Sequence, residues 1–280
     1  MKVLLTGSSG QLAKEFIKRF SADGIDFHAP AENIFDIIDK DKVRRVFSEY
    51  KPDLLINCAA YNLVDEAQEN PSKAFAVNRD AVETLALECR STGAFMLHFG
   101  TDYIFDGRKN DLYAESDAPN PLNVYGRSKF EGELKAKLAG RSLILRLSWV
   151  IGEGAQNFLF KLKGWAAKSR VLKISADEVS VPTFTFDIVD VCMKALDSGL
   201  EGVYHLTNSG YASRYELARA YCSMKGMDNI IIPVPMASFK SKAERPLFTA
   251  MSNGLISSKL KTEIPHWQKS LEKYCKEYDE

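Results

Sequence analysis

The chain predicts an α/β fold, a doubly wound parallel sheet followed by a smaller C-terminal domain, on three observations. Short, almost uniformly apolar runs alternate with amphipathic stretches through the first half, as strands buried on both faces between crossover helices require. A glycine-rich turn follows the first of these runs directly. After about Trp149 the pattern breaks into shorter pieces around Gly152, Gly154, Pro182, Gly199, Gly202, Gly210 and Pro233.

Val3 to Thr6, Leu54 to Asn57, Phe95 to Phe99 and Leu143 to Leu147 read as buried strands, with Ile25 to His28 a less apolar fifth. Between them Leu12, Phe16, Ile17 and Phe20 recur at helical spacing, as do Val43, Val46 and Phe47, then Ala74, Val77, Ala81, Leu85 and Ala86. Residues 1–150 are therefore expected to form the sheet domain, joined by part of 185–205, with 151–280 mainly a second domain. In that second domain Ser213-Arg214-Tyr215-Glu216 has the capping-box spacing that opens a helix. The charged stretch from Lys269 to Glu280 reads as a solvated helix.

Composition narrows the function classes. With 280 residues and 45% hydrophobic content, the chain buries a core without disulfide or metal staples. Lys plus Arg and Asp plus Glu balance at 37 each, which leaves no overall field to attract nucleic acid or an anionic membrane. The longest apolar runs, such as Ile230-Ile231-Ile232, fall far short of the roughly 20 residues that span a bilayer. Five cysteines without a CxxC pair fit reduced thiols, and Met1 leads straight into a strand without a secretory leader. A cytoplasmic protein without nucleic-acid or membrane partners is expected.

Gly7-Ser8-Ser9-Gly10-Gln11-Leu12-Ala13 lies between the first strand and the first helix. There, backbone N–H groups and the positive helix end receive a nucleotide pyrophosphate, and Ala13 fills the third position of the fingerprint, which admits Gly or Ala. The second strand ends Phe27-His28-Ala29-Pro30 with no acidic residue for a ribose and no Arg for a 2′-phosphate, so NAD and NADP both stay open. Glu32, Asp36 and Asp39 follow, and Asp39 serves equally as a helix N-cap.

Tyr125 and Lys129 stand one helical turn apart, a spacing in which the ammonium favours the neighbouring phenolate and draws a proton donor toward working pH. Thr101, directly after the Phe95 to Phe99 strand, sits at the carboxyl edge where open sheets place their sites. Thr101 is expected to hydrogen-bond a substrate carbonyl that Tyr125 protonates, with Lys129 holding the Tyr and the nicotinamide ribose.

With these motifs the chain resembles the dTDP-4-dehydrorhamnose reductase family, within the extended short-chain dehydrogenase/reductase superfamily. The likeness extends through Asp53-Leu54-Leu55-Ile56-Asn57-Cys58-Ala59-Ala60-Tyr61, Ala76-Val77-Asn78, Thr101 to Gly107, Asn123-Val124-Tyr125-Gly126 and Arg146-Leu147-Ser148-Trp149-Val150. It implies a Rossmann-type sheet with a substrate-binding C-terminal domain. It also implies reduction of the C4 ketone of a nucleotide-linked 6-deoxy sugar by NADPH or NADH, in dTDP-rhamnose and cell-surface polysaccharide biosynthesis, by a monomer or homodimer. By the resemblance, Gly7, Gly10, Gln11 and Leu12 line the pyrophosphate, Asp36 and Ile37 lie near the adenine, and Ala59, Ala60, Tyr61 and Asn78 border the ribose and nicotinamide. Thr101, Tyr125 and Lys129 are then catalytic, the last two also touching cofactor. Tyr103 and Trp149 contact the sugar, while Asn157, Pro182, Thr183 and Arg245 face the nucleotide. Of the metal-bridging glutamates found in some relatives only Glu15 is matched, so no metal is expected.

Three positions depart from the family. Gly100 stands where Ser is usual, Asp177-Glu178-Val179-Ser180-Val181-Pro182-Thr183 alters the DQxGxPT pattern, and Lys242-Ala243-Glu244-Arg245-Pro246 has Glu in place of a second Arg. A 4,6-dehydratase is disfavoured because Tyr103, not a Glu base, follows Asp102. A nucleotide-sugar epimerase and a non-catalytic cofactor-binding regulatory subunit, such as that of methionine adenosyltransferase, remain as alternatives.

Overall fold

Apolar side chains that alternate between two faces of a strand need cover on both, and the observed topology supplies it. In a computed structural model describing residues 1–279, the chain runs β1 (Val3–Thr6), α1 (Gln11–Asp23), β2 (Phe27–His28), α2 (Lys40–Tyr50), β3 (Leu54–Asn57), α3 (Val64–Glu69), α4 (Pro71–Phe75), α5 (Ala81–Thr92), β4 (Phe95–Thr101) and α6 (Val124–Ala136). It continues β5 (Ser142–Leu147), β6 (Val150–Ile151), α7 (Phe158–Ala166), β7 (Val171–Ser175), β8 (Val179–Ser180), β9 (Thr183–Phe184), α8 (Thr185–Asp197) and β10 (Gly202–His205). It ends β11 (Ala212–Ser213), α9 (Arg214–Met224), β12 (Ile230–Val234), α10 (Gly254–Leu260) and α11 (Trp267–Glu277).

Six strands form one sheet in the order β10-β5-β4-β3-β1-β2, and every pairing in it is parallel. Val3 and Leu5 face a cluster shared with Phe16 and Phe20 of α1 and Ile188 of α8. Leu4 faces the opposite cluster, with Val43 of α2, Leu85 of α5 and Ala136 of α6. A third cluster joins Leu159 and Leu162 of α7, Leu217 and Tyr221 of α9 and Leu271 of α11 to Phe184, beside the small β7–β12, β8–β11 and β6–β9 pairs.

Local details differ from the periodicity in three places. Gly100 and Thr101 pair with Arg146 and Leu147, so β4 runs two residues past Phe99 and Thr101 is its last residue. The stretch from Ala74 to Ala86 is not one α-helix, because a π turn at Ala76–Asp80 separates α4 from α5. That turn presses the Asn78 carbonyl onto α6 at Gly132, where an added Cβ would stand 1.8 Å from the oxygen. The terminal helix is amphipathic rather than solvated all round, with Trp267, Leu271 and Tyr274 buried. Its last expected residue, Glu280, lies outside the described residues. The Ser213–Glu216 capping box is present.

Helix α6 carries Tyr125, Lys129 and Glu133 at successive i+4 positions, hence along one face. Glu133 accepts from Arg146 of β5 at 2.9 Å (Nε) and 2.8 Å (Nη2), with both side chains almost fully buried. Arg146 Nη1 reaches His205 Nε2 at 3.2 Å. Burial and the Arg146 charge push His205 down to about 3, so its ring is neutral, with Nδ1 donating to the Tyr113 carbonyl and Nε2 accepting. This network locks α6 to the sheet. Glu133→Ala leaves a buried guanidinium uncompensated and is expected to cost about 3–5 kcal/mol, while Glu133→Leu with Arg146→Met regains most of it. Urea unfolding checks both, and a single variant with the wild-type midpoint would refute the role.

Candidate active site

In a sheet of order 2-1-3-4-5 the crevice opens where chain direction reverses, outside the carboxyl ends of the first and third strands. Here a cavity of ≈ 290 Å³ occupies that place, lined by Gly10 to Ala13 after β1, Cys58 to Ala60 after β3, Thr101 and Asp102 ending β4, and Tyr125 and Lys129 of α6. Gly7 holds φ +67°, and a Cβ there would stand 2.7 Å from Ala59 N, so only glycine lets the two loops touch. Thr6 Oγ1 accepts from Ala59 N and donates to Asn57 Oδ1 at 2.6 Å, and Asn57 Nδ2 donates to His98. This polar ladder fixes the loop after β3. Gly10 caps α1 without a side chain, and the first turn holds no acidic residue. That end therefore suits a phosphate, and this cradle fits a dinucleotide.

Several residues expected on the cofactor side do other work. Gln11 spends its amide across the molecule, donating to Val150 O at 2.9 Å and accepting from Gly152 N at 3.1 Å, so it stitches α1 to the loop after β6. Leu12, Ala59 and Ala60 line the cavity, whereas Tyr61 and Asn78 stand behind it. Asn78 clamps the Tyr61 backbone through its N–H at 2.8 Å and its carbonyl at 3.1 Å, and also donates to Ser128 Oγ. Asp36 accepts from Ile38 N, Ile37 is buried in the core, and neither lines a cavity. Asp39 is the N-cap of α2, accepting from Asp41 N and Lys42 N.

Thr101, Tyr125 and Lys129 do meet on one cavity wall. The electrostatics differ from the spacing argument, however. The Lys129 ammonium donates to the Phe99 carbonyl at 2.6 Å, and burial lowers it to about 8. Tyr125 donates to Asn62 Oδ1 at 3.5 Å and is pushed up to about 12 by burial, against the pull of the neighbouring Thr101 hydroxyl, with Asp102 pushing further up. Desolvation dominates, and the phenol therefore keeps its proton. Asp102, buried under the site, is raised to about 6 by desolvation. It accepts from Thr101 Oγ1, from Ser180 Oγ at 2.8 Å and from Thr249 Oγ1 at 2.5 Å. Gly100 is explained by Arg146, whose Cγ would lie 3.1 Å from an added Cβ.

A second cavity of ≈ 540 Å³ adjoins the first and is lined by Phe158, Lys161, Trp165, Lys173, Phe239 and Arg245, among others. Tyr103 lines both cavities, Trp149 the first and Arg245 the second. Arg245 pairs with Asp65 at 2.7 Å. Asn157, Pro182 and Thr183 line neither. Asn157 is buried as the N-cap of α7 and donates to Gly152 O at 2.8 Å. Thr183 N donates to Trp149 O, so Pro182 and Thr183 support Trp149 from behind. Sequence reasoning missed Arg214 and Glu178 as lining residues. Arg214 was visible only inside a capping box, and Glu178 only as a departure from a motif.

The family model described as RmlD substrate binding domain matches residues 1–280. The chain belongs to the dTDP-4-dehydrorhamnose reductase family. A spore coat polysaccharide biosynthesis protein, SpsK, of Bacillus subtilis is 34% identical over 99% of this chain and 97% of its own. A dTDP-4-dehydrorhamnose reductase of Burkholderia thailandensis is 32% identical over 96% of each chain. Among solved structures, a dTDP-4-dehydrorhamnose reductase of Clostridium acetobutylicum superposes with a TM-score of 0.95 at 31% identity, covering 99% of both chains. A Bacillus anthracis dTDP-4-dehydrorhamnose reductase in complex with NADP matches with the same TM-score of 0.95 at 29% identity and the same 99% coverage of both chains. Like these reductases the chain has a Rossmann-type sheet, and no helix among its described residues is long and apolar enough to cross a membrane.

Two titrations check this reductase site. Without cofactor, the ultraviolet difference between wild type and Tyr125→Phe is expected to show no tyrosinate below about pH 11, and ionisation near pH 8 would contradict it. Asp102 binds its proton more tightly folded than unfolded, so it subtracts stability as pH rises from about 4 to 6. Asp102→Asn is expected to gain on wild type across that window in urea unfolding, and a constant difference would refute the raised value.

Proposed function

We propose that this chain reduces the C4 ketone of a nucleotide-linked 4-keto-6-deoxy sugar, of the dTDP-4-dehydrorhamnose to dTDP-rhamnose type, using NADPH or NADH. The product would serve cell-surface polysaccharide assembly. One observation carries the reading: the glycine turn after β1 and the Thr101, Tyr125 and Lys129 side chains line a single cavity, which adjoins a second cavity bearing Lys161, Lys173 and Arg245. The named activity of the similar Burkholderia reductase and the NADP of the Bacillus anthracis structure support it. Residues 1–150, with 185–205 packed beside them, would hold the cofactor, and 151–280 most of the nucleotide. The chain would act as a monomer or homodimer, and reduced cysteines suit the cytoplasm.

The reduced nicotinamide, when bound, supplies the hydride. Gly7, Gly10 and the first turn of α1 would receive the pyrophosphate, and Ala59 and Ala60 would border the ribose. Tyr125 is the proton donor to the forming alkoxide, a role for which a phenol that stays protonated through neutral pH is suited. Thr101 would turn its one hydroxyl proton from Asp102 to the substrate oxygen. Lys129, buried and anchored on Phe99, keeps a cation beneath the reacting groups. Burial raises the Cys58 thiol, so it stays protonated and plays no nucleophilic part.

Sugar-dependent oxidation of NADPH by the purified chain tests the activity. Tyr125→Phe is expected to lower kcat by roughly 10²-fold or more while retaining nucleotide-sugar affinity in calorimetry. Normal turnover in that variant would exclude Tyr125 as the acid. Absence of sugar-dependent oxidation in wild type would exclude the reaction.

A further inference from the structure

The two cavities share Asn62, Val64, Tyr103, Gln156 and Arg214 as lining residues. Arg214 is the one cation among these shared residues. Its guanidinium carbon lies 3.5 Å from the Trp149 ring centroid and 5.1 Å from that of Phe158. Stacking uses the face of a guanidinium and leaves its in-plane N–H donors available. Among the described residues those donors make no hydrogen bond, and their only ionic contact is Nε to Glu178 Oε2 at 3.6 Å. Arg245 and Arg146, by contrast, are both hydrogen-bonded to carboxylates. Glu178 is buried and also accepts from the Tyr103 hydroxyl at 3.3 Å. Trp149 beneath carries a positive φ of 37° and a buried indole N–H without a partner. Strain and unsatisfied donors of this kind gather where a ligand is gripped.

We propose that Arg214 determines substrate specificity by gripping the diphosphate of the nucleotide-linked sugar at the junction of the two cavities, with Glu178 tempering its charge. The inference rests on the reading above. A ketone beside Thr101 and Tyr125 and a nucleoside in the second cavity place the connecting diphosphate across the junction. An Arg edge offers two parallel charge-assisted bonds to a phosphoryl group. Glu178 holds the guanidinium over Trp149 and partly offsets its charge when no anion is there. A carboxylate in that position also opposes a misplaced phosphate, which adds selectivity.

Calorimetry of dTDP and of thymidine binding to the full chain saturated with NADP tests this without turnover. Arg214→Gln is expected to weaken dTDP by roughly 10- to 100-fold and leave thymidine within about 2-fold. Arg214→Lys, a point charge without the fork, should recover part of the loss. Glu178→Gln keeps an acceptor for Tyr103 but removes the charge, and is expected to tighten dTDP several-fold. NADP affinity should not change in any of them, which separates substrate phosphate from cofactor phosphate. Unchanged dTDP binding in Arg214→Gln, an equal loss for thymidine, weakened dTDP in Glu178→Gln, or a wild type that does not bind dTDP each overturns the proposal. If dTDP affinity follows Arg214 while wild type turns over no keto sugar, the reductase reading fails and this one stands. If wild type turns over the keto sugar while dTDP binding ignores Arg214, the reductase reading stands and this one fails.

Discussion

The buried pair between Glu133 and Arg146 is the constraint on which the site depends. Helix α6 buries Val124 and Ala136 near its two ends, but between them it carries Gly126, Ser128, Lys129, Gly132 and Glu133 toward the protein, so its rotation is set largely by polar contact. A bidentate carboxylate–guanidinium contact out of water fixes distance and angle together. With His205 accepting from Arg146 Nη1 and donating in turn to the Tyr113 carbonyl, the pair sets the height of α6 against β5. Lys129 and Tyr125, one and two turns earlier, inherit that setting and reach the end of β4 where Thr101 sits. Gly132 and Gly126 complete the arrangement, for any side chain there would strike the Asn78 or Tyr103 carbonyl.

Several of the polar contacts that tie the second half of the chain to this frame lie at the cavity. Gln11 bonds the loop after β6, Asp102 draws in Ser180 and Thr249, and Thr183 fixes the Trp149 carbonyl. Most of these contacts join residues far apart in sequence, so the sugar side of the site exists only once both halves are folded. Asp102 shows the cost of this design. Its carboxylate is raised to about 6 by desolvation despite three hydroxyl donors, because hydroxyls return only part of the hydration that burial removes. Its position between Thr101 and the second half makes it a fastening for the end of β4.

Much of this was legible in the residues themselves. Buried parallel strands announce themselves as apolar runs because both faces are covered, and the glycine turn is marked by φ angles that side chains resist. Thr101, Tyr125 and Lys129 were recoverable because a helical repeat and a strand end place them without long-range information. The π turn at Ala76–Asp80 left no such mark, since its contact with α6 at Gly132 joins residues more than fifty positions apart. Gln11 lines the cavity, whereas Asn157, expected beside it from motif position, does not. In space their amides are consumed by backbone groups of neighbouring loops.

The succession of strands and helices, the glycine turn after β1 and the candidate group of Thr101, Tyr125 and Lys129 follow from the order of amino acids, for these depend on periodicity and local backbone preference. The protonation of Tyr125, the stacking of Arg214 on Trp149 at the cavity junction and the retreat of Ile37, Asn157 and Thr183 into supporting roles came from folding in three dimensions. Desolvation and hydrogen-bond partnership are properties of what surrounds a side chain, and those surroundings come from segments up to a hundred or more residues away.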